Sequence, residues 1–321
     1  MSTAAPTPLQ SFLGGIGLAL PVHTLLMFNG SVFGISGFLH RAVKGNIEGA
    51  ASVLGLVLGG VVLGRIEGTG PMVFDPSLSR LIASGLLVGL GTKLGSGCTS
   101  GHMICGLSRF SIRSLVATAA FFTTGVLTTH VLHAGALPTR GAADLSLGKF
   151  GGALLFSSGL SLLGAVLARY LLPPPASSAN EPDPKRTSTS HRLITSFLTA
   201  LSFSFSLHLS NLTSPLRVLS FLMLPPSPSF DPSLAFLAMG ALPLATVLYR
   251  KWGRPLCPVT NTTIDWRLVT GGALFGIGWG IEGICPGPGL VNFGQALATG
   301  SGIQPLAIWL ASLVAGGLLV Q

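Results

Sequence analysis

Charge is what this sequence has least of. Asp, Glu, Lys and Arg make up 8% of its 321 residues, against roughly 25% in soluble domains, so an all-round water-facing surface is excluded. No such residue occurs between Met1 and His40, between Ser114 and Thr139, or between Gly283 and Gln321. Each run is at least as long as the ~20 apolar residues that cross a bilayer as a helix. Cysteine is also scarce. The four, Cys98, Cys105, Cys257 and Cys285, include no C-x-x-C pair, which leaves a zinc site or a thioredoxin-like motif without support. No cofactor motif is present. The absence of a nucleotide-binding loop excludes direct ATP-driven transport by this chain alone. No acidic or basic residue precedes Arg41, which argues against a secretory signal and an Arg-rich transit peptide. The net charge of +9 is scattered between apolar tracts. It lacks the clustered face of a nucleic-acid binder and fits orientation in a membrane.

Glycine and proline are abundant, at 44 and 22 residues. Glycine lets membrane helices approach closely, and the two together permit broken helices where backbone lines a cavity. The expected fold is an all-α polytopic membrane protein. Nine spans are expected near 11–26, 47–64, 78–95, 111–133, 148–172, 192–210, 232–250, 265–282 and 303–320. Four shorter Gly/Pro-rich segments, near 28–40, 97–108, 213–224 and 285–298, are too short to cross and too apolar for loops, as re-entrant half-helices are. Residues 173–191, PPPASSANEPDPKRTSTSH, read as a flexible linker. They divide residues 1–172, a first membrane repeat plus a crossover span, from residues 192–321, a second repeat.

The repeat is visible directly. RLIASGLLVGLGTKLGSGC, Arg80 to Cys98, aligns without a gap to RLVTGGALFGIGWGIEGIC, Arg267 to Cys285, at a shift of 187 with seven identities in nineteen. Both segments end on a cysteine. The third span thus pairs with the eighth; five is odd, so the halves insert with opposite orientation, a recurring transporter plan. Twelve Lys and Arg fall on one side of this topology and five on the other, with Lys93 inside the membrane. The positive-inside rule then puts the N-terminus outside, and the linker and C-terminus in the cytosol of a cell-membrane protein.

The chemistry concentrates at the two repeat ends. In GTKLGSGCTSGHMICGLSR, glycines that include Gly97 and Gly101 clear space for backbone, and Cys98, Thr99 and Ser100 stand where a broken helix restarts. Helix N-termini favour anions. In GIGWGIEGICPGPGLVNFG, Gly283, Cys285, Pro286 and Gly287 repeat the plan, Pro suiting a first helical turn. Inversion brings Cys98 and Cys285 toward the midplane from opposite faces. Cys105 either packs or lines the path, and Cys257 reads as structural. His102 either shuttles protons or braces the half-helix. Lys93 and Glu282 are intramembrane charges, functional by default; they either pair across the pseudo-two-fold, or Lys93 alone attracts an anion. His23, His130 and His133 read as packing residues, while Asn29, Asn292 and Gln295 could reach substrate oxygens.

GSGCTSGHMICGLSRFSIRSLVA and ALFGIGWGIEGICPGPGLV resemble the two signatures of the YeeE/YedE sulfur-transport family. The chain is similar to two half-length members fused, with FNGSVFGISG at 28–37 in the first and DPSLAFLAMGA at 231–241 in the second. The resemblance implies uptake of thiosulfate or a related sulfur anion, its terminal sulfur passing along pathway cysteines through S–H···S contacts. It leaves room for a soluble sulfur-carrier or sulfurtransferase partner on the cytosolic side. The chain departs from the family pattern in three places: FNGSVFGISG has no cysteine, Lys93 stands where Arg is usual, and Glu282 where a small residue is usual.

The leading reading is a permease with a cysteine-lined constriction, using no cofactor or metal. The alternative is an intramembrane thiol oxidoreductase or sulfurtransferase using Cys98 and Cys285, which would need an activated thiolate. A purely structural subunit gains nothing from irregular backbone at membrane depth.

Overall fold

The computed structural model describes residues 5–71, 77–171, 189–253, 259 and 262–320. The regular elements among these residues are all helices, with no sheet among them. The first half holds α1 (Pro8–Asn29), α2 (Ile35–Val43), α3 (Ile47–Glu67), α4 (Leu78–Leu94), a π-helical segment (Ser100–Leu107), α5 (Ile112–His133) and α6 (Gly151–Leu171). The second holds α7 (Thr189–Leu209), α8 (Pro215–Leu222), α9 (Ser233–Leu248) with a π-helical extension (Tyr249–Gly253), α10 (Trp266–Glu282), α11 (Pro286–Thr299) and α12 (Ile303–Leu318).

Local chemistry sets the boundaries. Side chains of Asn46, Ser111 and Asp265 accept backbone N–H bonds at the starts of α3, α5 and α10, which satisfies donors a helix start leaves open. Left-handed glycines at 30, 68, 283 and 300 end α1, α3, α10 and α11, a conformation that costs glycine nothing. The linker at 173–188 lies outside the described residues, as does Cys257, while residues 189–191 belong to α7 rather than to a linker.

Among the described residues, six stretches are long and apolar enough to cross a membrane: α1, α3, α5, α6, α9 with its extension, and the run holding α10 and α11. The remaining expected spans fall short for identifiable reasons. α4 and α12 have 17 and 16 residues. α7 has 21, but eight are Ser or Thr. It can carry them because it is walled by protein: Thr195, Ser196, Thr199, Ser202, Ser204 and Ser206 are buried, between α1, α3 and α6. Ser158 of α6 bonds Ser202 at 2.8 Å and Ser206 at 2.9 Å, the interhelical hydrogen bonding that helps hold membrane helices together.

Glycine-mediated contact holds the centre. α4 and α10 run antiparallel: Gly91 lies on the backbone of Phe275, and a side chain on Gly278 would come within 2.9 Å of Val88. α4 packs on α12 through Gly85 and Gly89, and α10 packs on α5 through Gly272 and Gly276. α11 is held to α3 by Gly60 and Gly294, each against the other helix's backbone. Without a hydrophobic drive in lipid, such close approach is the main source of helix association.

Candidate functional site

The first broken helix begins where α4 stops. Ser96 is left-handed, and Gly97 N–H turns back to the Thr92 carbonyl at 2.9 Å. A Cβ on Gly97 would stand 2.7 Å from the His102 ring, so glycine is required there. The chain restarts as a π-helix, a winding often found at functional sites. His102 braces this turn: its ring nitrogens meet Ser114 Oγ and the Gly95 carbonyl, each at 3.1 Å. Both ring nitrogens are thus engaged within the first motif and α5.

The second broken helix begins after left-handed Gly283, which lies on the Pro215 carbonyl of α8. Cys285 is extended and Pro286 opens α11 at its first turn, as expected. Gly287 faces Ile35 of α2, where a Cβ would approach to 2.7 Å.

Cys98 and Cys285 are 2% and 1% exposed and line one cavity of about 120 Å³. Thr99 Oγ1 donates to Cys285 Sγ at 3.7 Å, joining the two motifs. Cys98 Sγ lies 3.3 Å from Ser100 Oγ, which accepts the Ile35 N–H at 3.3 Å. The remaining wall is largely apolar and includes Phe122, Phe203, Phe221 and Trp279.

A second, larger cavity of about 560 Å³ adjoins it, lined by His40, Arg41, Lys93, Arg109 and Arg113, with no acidic side chain among the described residues that line it. Neighbouring residues divide between the two spaces. Gly34, Ser36, Gly97, Gly101 and His102 line the large one, while Ile35, Cys98, Thr99 and Ser100 line the small one. Ile35 and Ser100, joined by the hydrogen bond from the Ile35 N–H, stand on the small cavity's side of this division. Positive charge concentrated in a cleft raises the local concentration of anions.

Other candidate residues lie apart. Cys105 donates to the Phe33 carbonyl at 3.4 Å and lines a separate cavity of about 20 Å³ with His23. The expected Lys93–Glu282 pair does not form. Glu282, at the end of α10, meets Arg80 near the start of α4 at 3.3 Å. Antiparallel packing puts Lys93 thirteen residues further along α4, about 20 Å away at 1.5 Å per residue. Lys93 faces the basic cavity instead. Asn29 bonds Ser196 and the Arg192 carbonyl, Asn292 the Thr213 carbonyl, and Gln295 bonds Glu67 and the Thr69 carbonyl. These three tie helices together and do not line the cavity between the cysteines. His130 bonds its own helix at Val126, whereas His133 reaches the Ile281 carbonyl at 2.9 Å. Sequence reasoning missed Arg80 as a partner for Glu282, and it missed Trp279. The identity of Arg80 with Arg267 in the repeat was a signal for the first.

A family model described as sulphur transport matches residues 3–128, and a family of unknown function, DUF6691, matches residues 191–321. Two half-length units therefore stand in one chain. A probable transporter of Xylella fastidiosa strain Temecula1 is 45% identical over 119 residues, covering 36% of this chain and 88% of the relative. Another probable transporter, from strain 9a5c, is 38% identical over 136 residues, covering 40% of this chain and 88% of the relative. With its first half under the sulphur-transport model and relatives spanned almost whole, the chain belongs to the sulphur-transport family.

Proposed function

We propose that this protein is a membrane permease for thiosulfate or a related small sulfur anion, passed through a constriction between Cys98 and Cys285. The observation that carries the reading is that one cysteine from each half lines the same buried cavity. The cavity is of useful size. A site needs roughly 10–15 Å³ of such space per water, so about 120 Å³ admits an ion of five heavy atoms. The thiols suit a soft terminal sulfur, being weak, polarizable donors. Transport rather than enzymology agrees with the family and with the names of its relatives. A thiol enzyme would also need an accessible thiolate, and both sulfurs are enclosed.

The halves are related, on this reading, by an inverted pseudo-two-fold between α4 and α10. Gly91 and Gly278 are aligned in the repeat, as are Val88 and Phe275. Gly91 meets Phe275, and Gly278 meets Val88: the same contact twice. Gly85 and Gly89 on α12 correspond likewise to Gly272 and Gly276 on α5. In the nine-span topology, with four re-entrant segments at α2, the π-helix, α8 and α11, the basic cavity opens to the cytosol. The Arg80–Glu282 pair then closes the outer end. The anion leaves the constriction toward Arg41, Lys93, Arg109 and Arg113 when the Ile35–Ser100 contact parts. The test is uptake of ³⁵S-labelled thiosulfate, sulfite and sulfate by proteoliposomes holding the purified protein. Accumulation of unaltered thiosulfate above empty vesicles is expected; none for any sulfur anion would overturn the proposal.

A further inference from the structure

Three arginine–carboxylate pairs stand among the described residues, and one is held differently from the others. Arg192 grips both oxygens of Glu48. Arg217 donates to Asp231 at 2.7 Å and also to Ser233 and the Ala5 carbonyl. Arg80 Nε lies 3.3 Å from Glu282 Oε1, yet that oxygen accepts no hydrogen bond among the described residues. Arg80 Nη2 donates instead to the Ile281 carbonyl at 3.2 Å. Glu282 is 4% exposed and Arg80 43% exposed. A buried carboxylate held by charge alone stays ionised while its cation stands beside it, and takes a proton when that cation is drawn away.

The surroundings supply no second cation to Glu282. Lys93, the other cation of α4, stands at the far end of that helix. α5 presents His133, whose Nε2 donates to the Ile281 carbonyl at 2.9 Å and lies 3.5 Å from Arg80 Nη2. α8 meets the turn after Glu282 through the Pro215 carbonyl, and its own cation, Arg217, is engaged by Asp231. α11 carries no acidic, basic or histidine residue.

We propose that Arg80 is an anion-contacting residue and Glu282 a proton-binding one: an anion arriving at Arg80 displaces the carboxylate, which takes a proton from the adjoining water. This rests on the transport reading above and gives it a coupling ion, at the end of α4 opposite the basic cavity. The exchange balances. Arg80 changes one counter-anion for another, Glu282 gains one proton, the anion keeps its charge, and nothing is oxidised. The planar guanidinium fork suits an oxyanion as it suits a carboxylate. Glu282 stands three residues before Cys285, so the exchange happens one short turn from the constriction. Because binding takes up a proton, affinity for the anion rises as pH falls.

Isothermal titration of thiosulfate into the full-length protein, in two buffers of different ionisation enthalpy at one pH, counts the protons taken up per anion. Wild type should take up protons, and the number should fall in Glu282→Gln and in Arg80→Gln to one common value. Glu282→Gln, with the competing charge removed, should bind thiosulfate roughly two- to fivefold more tightly, the scale of a half-exposed ion pair. Arg80→Gln should bind it more weakly than wild type. Infrared difference spectra of wild type should show a carboxylate band giving way to a carboxylic-acid band on adding thiosulfate, a change that Glu282→Gln should lack. Proton uptake unchanged in Glu282→Gln, as titration of His133 would give, overturns the inference while the permease reading stands. A wild-type spectrum without the acid band does the same. If wild type passes no sulfur anion in the uptake assay, the permease reading itself fails, and the inference with it. If Glu282→Gln does not fold, Glu282→Ala and the wild-type spectrum decide.

Discussion

Removing Arg80 should harm the protein more than removing Glu282, although the two form one pair. Glu282 is 4% exposed and Arg80 43% exposed, with Arg80 Nε 3.3 Å from the carboxylate. Arg80 also donates to the Ile281 carbonyl at 3.2 Å. Arg80→Ala strands a carboxylate with no other cation paired to it among the described residues. Breaking a buried pair costs about 3–5 kcal/mol; solvent screening on the arginine side reduces this to about 2 kcal/mol. Glu282→Gln leaves an arginine that can turn toward water, so its cost should be about 0.5–1 kcal/mol. In the double variant the stranded charge is gone, and its stability should return close to that of Glu282→Gln. The assay is thermal unfolding of the four proteins in one detergent, followed by near-UV circular dichroism. Equal single effects that add in the double variant would refute the coupling.

Glycine packing predicts a sharp contrast: Gly278→Ala, pressed on Val88 and the Ser84 carbonyl, should cost about 1–3 kcal/mol. Gly159→Ala, with nothing within 4 Å of its Cβ, should be neutral or stabilising by up to about 1 kcal/mol, both read from the same unfolding curves. Lys93→Gln with Arg113→Gln should weaken thiosulfate binding at low ionic strength and flatten its salt dependence, measured by isothermal titration at two salt concentrations. A cysteine at Tyr170, exposed at the end of α6, in a Cys257→Ser background should react with an impermeant maleimide only from the cytosolic side; labelling from outside alone would reverse the orientation.

The sequence was most informative where proline, glycine and apolar length act locally. Segments expected near 213–224 and 285–298 appear as α8 and α11, each opened by proline, because that residue sets the first turn without help from neighbours. The two cysteines could be brought together because the repeat supplies a symmetry argument that needs no coordinates. Register between helices was not legible. Lys93 and Glu282 stand close in the repeat alignment, yet antiparallel packing of α4 on α10 sends them to opposite ends and gives Glu282 to Arg80. The polarity of Asn292 and Gln295 was visible, but their partners come from α3, the turn between α7 and α8, and the chain after α3. Nor could a sequence distinguish Trp309, whose N–H is paired, from Trp279, whose N–H is not.

The central claim is that Cys98 and Cys285 form one sulfur pathway, and serine tests it most directly. Serine keeps a donor of similar size and removes only the polarizable sulfur, so a packing role should survive the change. Thiosulfate uptake by proteoliposomes with equal amounts of folded protein should fall at least about tenfold in Cys98→Ser and in Cys285→Ser, the scale of about 1.4 kcal/mol. Wild-type rates in both variants would contradict the account.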